Sequence, residues 1–379
     1  MKNSSLFNSI ALLIAINSIN GQINDADFDN LEPKLIEWRH HLHQNPELSN
    51  REFKTAKYIT SHLKSLGVEV LTGVAHTGVV GIIKGNRPGK VVALRADMDA
   101  LPVTERNNLP FKSEVVSTFN GKKTGVMHAC GHDAHVSILM GVAKVLTQNK
   151  DFAGTVKLIF QPAEEGPPPG EEGGARLMVK EGVLENPKVD AIFGLHIRSG
   201  SHVGKITYKP GGMLASSQRF VINVKGKQAH GSTPWQSIDP IVVSAQIING
   251  LQTLISRESE LTKEGAVITI GSIHSGIRFN IIPEHSEMVG TIRTLDKEMK
   301  ELIRKRMNEM VPSIAKAYRA EATLDIQDGA DVTFNNLALT EQMLPTLERS
   351  AGKANVNLMD ALTLAEDFSY FQNEIPGFF

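Results

Sequence analysis

His128-Ala-Cys130-Gly-His132-Asp133-Ala-His135 runs directly into Val136, Leu139, Met140, Val142, Val145 and Leu146, apolar residues at helical spacing. The stretch predicts an amphipathic helix with thiol, imidazole and carboxylate groups packed at its start. Around it lie three short apolar runs of buried-strand type. Val91-Val-Ala-Leu94 leads into Arg95-Ala-Asp97-Met-Asp99, Val156-Lys-Leu-Ile-Phe160 into Gln161-Pro-Ala-Glu164-Glu165-Gly166, and Ala191-Ile-Phe-Gly-Leu195 into His196. Strands alternating with helices predict an α/β fold with a mostly parallel sheet, whose ligands sit beyond the carboxyl ends of the strands. The ionisable clusters fall at those ends.

Outward from this centre, apolar spacing predicts helices between Asp25 and Gly67 around a polar turn at His43–Asn50. After about Lys205 the texture changes. Phe220–Val224, Ala266–Ile270 and Met288–Ile292 read as strands, while Pro240–Leu254 and Lys297–Tyr318 read as helices. Leu339–Arg349 then resumes a helical pattern. The expected organisation is an inserted α+β lid or dimerisation domain at residues 210–320, flanked by a catalytic domain of residues 22–209 and 321–379. Gly166-Pro-Pro-Pro-Gly-Glu-Glu-Gly-Gly174 marks a loop next to Glu165.

A chain of 379 residues is long enough for two domains. With 40 Lys+Arg against 41 Asp+Glu, it has no net field to draw in nucleic acid or an anionic membrane, so a small molecule or peptide is the expected partner. The apolar run Ile10–Ile16, followed by small and polar residues, predicts a signal peptide over residues 1–21 and a secreted or periplasmic mature protein that does not span a membrane. Cys130 is the single cysteine, so an internal disulfide is excluded.

A hydrolytic metal site needs nitrogen, sulfur and carboxylate ligands from several elements, together with a base for the attacking water. The candidates are Cys130, His132, Glu165 and His196, with Glu164 left over. Cys130 and His132 cannot share a helix face, but a non-helical turn at Gly131 can aim both at one point. Glu164 and Glu165 follow a buried strand directly before a Pro/Gly loop, so one carboxylate can bind metal while the other serves as base. Asp97 and Asp99 are able to bind metal, hold its histidines or cap a loop; the preferred role for Asp99 is orienting an imidazole. His128 and His135 exceed what one metal can use and are read as supporting residues.

Met127–His135, Arg95-Ala-Asp-Met-Asp-Ala-Leu-Pro102, Gln161–Gly166, Gly194-Leu-His196 and Ala365-Glu-Asp-Phe-Ser-Tyr370 together resemble the M20 metallopeptidase family. The likeness is to its amidohydrolase branch, which includes hippurate hydrolases, N-acyl amino acid deacylases and auxin-conjugate hydrolases. The resemblance implies a zinc-peptidase-like catalytic domain, an inserted dimerisation lid and a homodimer. It implies two divalent metal ions, of a kind among zinc, manganese, cobalt and nickel, held by Cys130, His132, Glu165 and His196. Glu164 would be base and proton shuttle. His230, in Gln228-Ala-His-Gly-Ser-Thr-Pro234, would reach from the lid into the active site of the partner subunit and stabilise the oxyanion, and Asn280, in Phe279-Asn-Ile-Ile-Pro283, would help to hold an N-acyl amino acid substrate. The family has a further metal-binding histidine after its Val/Ile-Pro-Gly strand, whereas this sequence stops at Ile375-Pro-Gly-Phe-Phe379. A truncated chain is therefore expected, with weak occupancy of one metal and poor activity if the polypeptide ends there. The alternatives are a catalytically impaired metal-binding or dimerisation homologue, and a cysteine hydrolase with Cys130 as nucleophile.

Overall fold

The structure is a computed structural model that describes residues 25–379; the signal-peptide reading of residues 1–21 lies outside them. The chain divides into two compact units, the first running to Arg198 and the second spanning Ser199–Phe379. No helix among the described residues is long and apolar enough to cross a membrane.

In the first unit, strands β1 (Glu69–Val74), β2 (Gly78–Lys84), β3 (Arg87–Asp97), β4 (Ala153–Gln161) and β5 (Ala191–Phe193) hydrogen-bond in the order β1-β2-β4-β3-β5. β3 is parallel to both β4 and β5, while β1 and β2 add antiparallel pairs at one side. Parallel strands are covered on both faces, which is why β4 is buried over its last five residues rather than alternating. Helices α1 (Glu32–Gln44), α2 (Phe53–Ser65) and α3 (His132–Gln148) contribute Trp38, Leu42, Ile59, Leu63, Val136 and Met140 to a core shared with Val79, Leu158 and Phe160. Each such side chain stabilises the unit by roughly 1.5–3 kcal/mol on burial. The register sets Asp97 level with Gln161, so both strands deliver their polar ends to one place. α3 begins at His132, and residues 128–131 form the turn that enters it.

The second unit carries β6 (Gln218–Lys225), β7 (Ala266–Ser275), β8 (His285–Thr294) and β9 (Glu321–Asp328), antiparallel in the order β7-β8-β6-β9. Helices α4 (Pro240–Thr253) and α5 (Lys297–Ala317) pack Val243, Ile247, Leu251, Ile303 and Met307 against Phe220, Ile222, Val224, Met288 and Ile292. The strict alternation of β6 reflects one covered face and one open one. Both helices start where sequence places an aspartate: Asp239 accepts from the N–H of Ile241, and Asp296 from that of Met299. The strands and helices expected between residues 218 and 318 are all present.

Candidate metal centre

The turn into α3 depends on Gly131, whose φ of 92° lies in the left-handed region that suits glycine. It turns Cys130 and His132 toward a common point. Cys130 Sγ lies 3.4 Å from His196 Nε2, and donor atoms of Cys130, His132 and His196 all lie within 4.8 Å of one another. A second group, His132, Glu164 and Glu165, meets the same limit, so His132 is shared by both.

The tautomer of His132 follows from its partner. Nδ1 is 2.8 Å from the carbonyl oxygen of Asp99, which can only accept, so Nδ1 holds a proton and Nε2 is the nitrogen left to meet a metal. That Nε2 is buried and has no hydrogen-bond partner. Around it stand Asp97 Oδ2 at 3.7 Å, Glu164 Oε2 at 3.8 Å and Glu165 Oε1 at 4.0 Å. A buried nitrogen left unpaired costs about 1–3 kcal/mol, a penalty that a cation at this point removes. Thiol, imidazole and carboxylate donors converging on an orphaned nitrogen fit a divalent transition metal.

The glutamate loop is held through its backbone. Asp99 Oδ1 accepts the N–H of Glu164 at 3.0 Å, and Oδ2 accepts that of Glu165 at 3.1 Å and the hydroxyl of Ser49 at 2.7 Å. Asp99 thus holds two things at once, the His132 ring by its carbonyl and the loop by its carboxylate. Asp97 accepts from Arg95 Nη1 at 2.7 Å and from His135 Nδ1 at 2.6 Å. His135 Nε2 in turn accepts the N–H of Ile197 at 2.9 Å, which ties down the residue after His196. His43 bridges Asp133 at 2.9 Å and Glu105 at 3.1 Å.

Electrostatics follow from this wiring. Burial disfavours the charge on Asp97, but His132, Arg95 and His135 outweigh it and hold the carboxyl well below its usual range. Burial likewise opposes a charged His132, yet Asp97 and Asp99 hold its pKa well above the ordinary value, so a cation that binds at Nε2 displaces a proton from it. Burial, then the Asp99 charge, pushes Glu165 up. His128 is pushed down to about 4, chiefly by burial, and both of its ring nitrogens are buried without a hydrogen-bond partner. His132 favours the thiolate of Cys130, but burial and the Glu165 carboxylate prevail and raise the thiol. A nucleophilic cysteine needs the opposite shift.

Of the residues singled out by sequence, Asp97, Asp99, Cys130, His132, Glu164, Glu165 and His196 come together in the first unit. His230 and Asn280 belong to the second. There His230 faces Ile281 across a two-residue strand pair, and the N–H of Gly231 donates to the Asn280 carbonyl at 2.9 Å. His230 Nδ1 accepts the N–H of Ser232 at 3.1 Å, which leaves the ring proton on Nε2. Ser49, Asn50, Arg51 and Glu52, in and just after a polar turn that carries no motif of its own, all contact the glutamate loop or Asp99.

A family model described as peptidase family M20/M25/M40 matches residues 93–379. The chain is similar to thermostable carboxypeptidase 2 of Saccharolobus solfataricus, with 42% identity covering 93% of this chain and 86% of that protein. It is 37% identical to the hippurate hydrolase of Campylobacter jejuni, over 90% of this chain and 88% of the other. Among solved structures, a dinuclear metal-binding M20 peptidase from Bacillus subtilis superposes with a TM-score of 0.76 at 37% identity, covering 93% and 88% of the two chains.

Proposed function

The chain belongs to peptidase family M20/M25/M40, in its amidohydrolase branch, and is a metal-dependent hydrolase of amide bonds; from that premise we propose that it splits small N-acyl amino acids into a carboxylic acid and an amino acid. The observation that carries the reading is the buried, unpartnered Nε2 of His132 among thiol, imidazole and carboxylate donors. Cys130, His132, Glu165 and His196 would hold two divalent ions, drawn from zinc, manganese, cobalt and nickel. Bound there, the ions would supply Lewis acidity, polarising the acyl carbonyl and making a water molecule acidic.

Glu164 is the base. Its carboxylate takes the proton of the attacking water and returns it to the leaving nitrogen. The Nε2–H of His230, reaching from the lid of one protomer into the active site of its partner, would donate to the oxygen on which negative charge develops, and Asn280 would help to hold the substrate. The relatives' names, carboxypeptidase and hippurate hydrolase, both describe release of an amino acid with a free carboxylate, which favours N-acyl amino acids over internal amides. Export, and a homodimer formed through a lid at residues 210–320 inserted in a catalytic domain of residues 22–209 and 321–379, belong to the same proposal.

The test combines metal analysis with a panel of N-acetyl, N-benzoyl and indole-acyl amino acids. Hydrolysis abolished by a chelator and restored by one of the four metals is expected. Hydrolysis that survives exhaustive chelation but is lost on alkylating Cys130 would replace this reading with a cysteine hydrolase.

A further inference from the structure

We propose that Glu52 is a positioning residue for the glutamate loop, its carboxyl taking the backbone N–H of Ala163 and thereby fixing where Glu164 and Glu165 stand. What the loop does rests on the functional reading above; how it is held does not.

Glu52 occupies the N-cap of α2, where a side-chain oxygen ordinarily accepts from the helix's own first N–H groups. It makes no such bond. Glu47 Oε2 does so instead, accepting the N–H groups of Lys54 and Thr55 at 2.8 Å each. Glu52 is left to turn inward, fully buried, with Oε1 accepting the N–H of Ala163 at 2.9 Å and Oε2 paired with Thr77 Oγ1 at 2.6 Å. Burying a carboxyl is costly, and a serine or asparagine at this position would cap α2 without that cost.

The loop needs an anchor. Ala163 has a φ of 52°, a left-handed conformation that a residue with a Cβ adopts reluctantly. The next two amides, of Glu164 and Glu165, go to Asp99, so two buried carboxyl groups hold three consecutive N–H groups. Neighbours of Glu52 secure the rest. Ser49 holds Asp99, Asn50 Nδ2 donates to the Glu172 carbonyl at 3.0 Å, and Arg51 pairs with Glu171 at 2.5 Å. Burial and the Asp99 charge push the Glu52 carboxyl up to about 8, so glutamine mimics its protonated form.

The experiment compares Glu52→Gln, Glu52→Asp and Glu52→Ala in the full chain, by hydrogen exchange of the amides of Gln161 and Ala163–Gly166 without metal and by kcat and KM with metal. Glutamine keeps an acceptor at the same reach. It should retain loop protection and keep kcat within about threefold, whereas alanine and aspartate should lose protection locally and lower kcat by about tenfold to a hundredfold with KM little changed. Should the alanine variant not fold, the aspartate and glutamine pair decides. Wild-type exchange and kcat in the aspartate variant, or a glutamine variant as impaired as the aspartate one, would overturn the proposal. If the unaltered, metal-loaded chain hydrolyses no N-acyl amino acid, the functional reading fails, and the exchange comparison still decides the role of Glu52.

Discussion

Glu164 and Glu165 are neighbours in the chain with different surroundings: the Glu164 side chain is 9% exposed and that of Glu165 22%, and both approach His132 Nε2. Sequence shows that this pair follows closely on a buried strand, because the run Val156–Phe160 leads into it. It could not show what holds the pair, because Glu52 is 111 residues from Ala163 and periodicity carries no information about so distant a partner. If Glu164 is the base, Glu164→Gln removes proton transfer while leaving the metal donors in place. kcat should fall by about 10²–10⁴ with metal content unchanged, measured by steady-state kinetics beside elemental analysis. Loss of metal with loss of rate would make Glu164 a ligand instead. The raised carboxyl of Glu52 makes a separate prediction. Its folded pKa of about 8 exceeds the unfolded value of about 4.3, so between these the folded state binds more protons and stability falls as pH rises. The urea midpoint of the metal-free wild type should therefore drop relative to that of Glu52→Gln between pH 5 and 9. A pH-independent difference would mean that Glu52 is ionised throughout.

Among the elements, α3 and β3 to β5 were legible because buried parallel strands and an amphipathic helix leave unmistakable patterns. The lysine inside β4 was not. Lys157 interrupts an apolar run and is 2% exposed, and its ammonium donates to the carbonyls of Val183, Glu185 and Pro187 at 2.9, 2.6 and 3.0 Å. Burial lowers its pKa, but three carbonyl acceptors give the charge partners that water would otherwise supply. The element so secured is the loop that leads into β5 and on to His196. Lys157→Met fits the same space and leaves those three carbonyls without their donor. Stability should fall by about 1–3 kcal/mol, read from urea denaturation, because buried acceptors lose their partner. A neutral or stabilising methionine would show that water reaches the loop and that the ammonium is dispensable.

At the scale of the whole molecule, the switch from buried apolar runs to half-open alternating strands after Lys205 announced two textures, and each unit has its own core. The order β1-β2-β4-β3-β5 was not readable, because strand order depends on how crossovers wind rather than on any residue's type. Two cores imply that metal should affect them unequally. The proposed donors Cys130, His132, Glu165 and His196 lie in the first unit. A metal at a hundredfold excess over its Kd stabilises what binds it by about 2.7 kcal/mol. Chelation should therefore speed hydrogen exchange at residues 95–101, 128–135, 161–166 and 194–198, where orphaned His132 Nε2 and the repelling carboxylates are left uncompensated. Amides of β6 to β9 should keep their rates, since Phe220, Ile222, Met288 and Ile292 are packed by α4 and α5 without any of those donors. Equal acceleration of β6 to β9 would sink the assignment of the metal to Cys130, His132, Glu165 and His196, because none of these residues lies on those strands or on the helices that pack them.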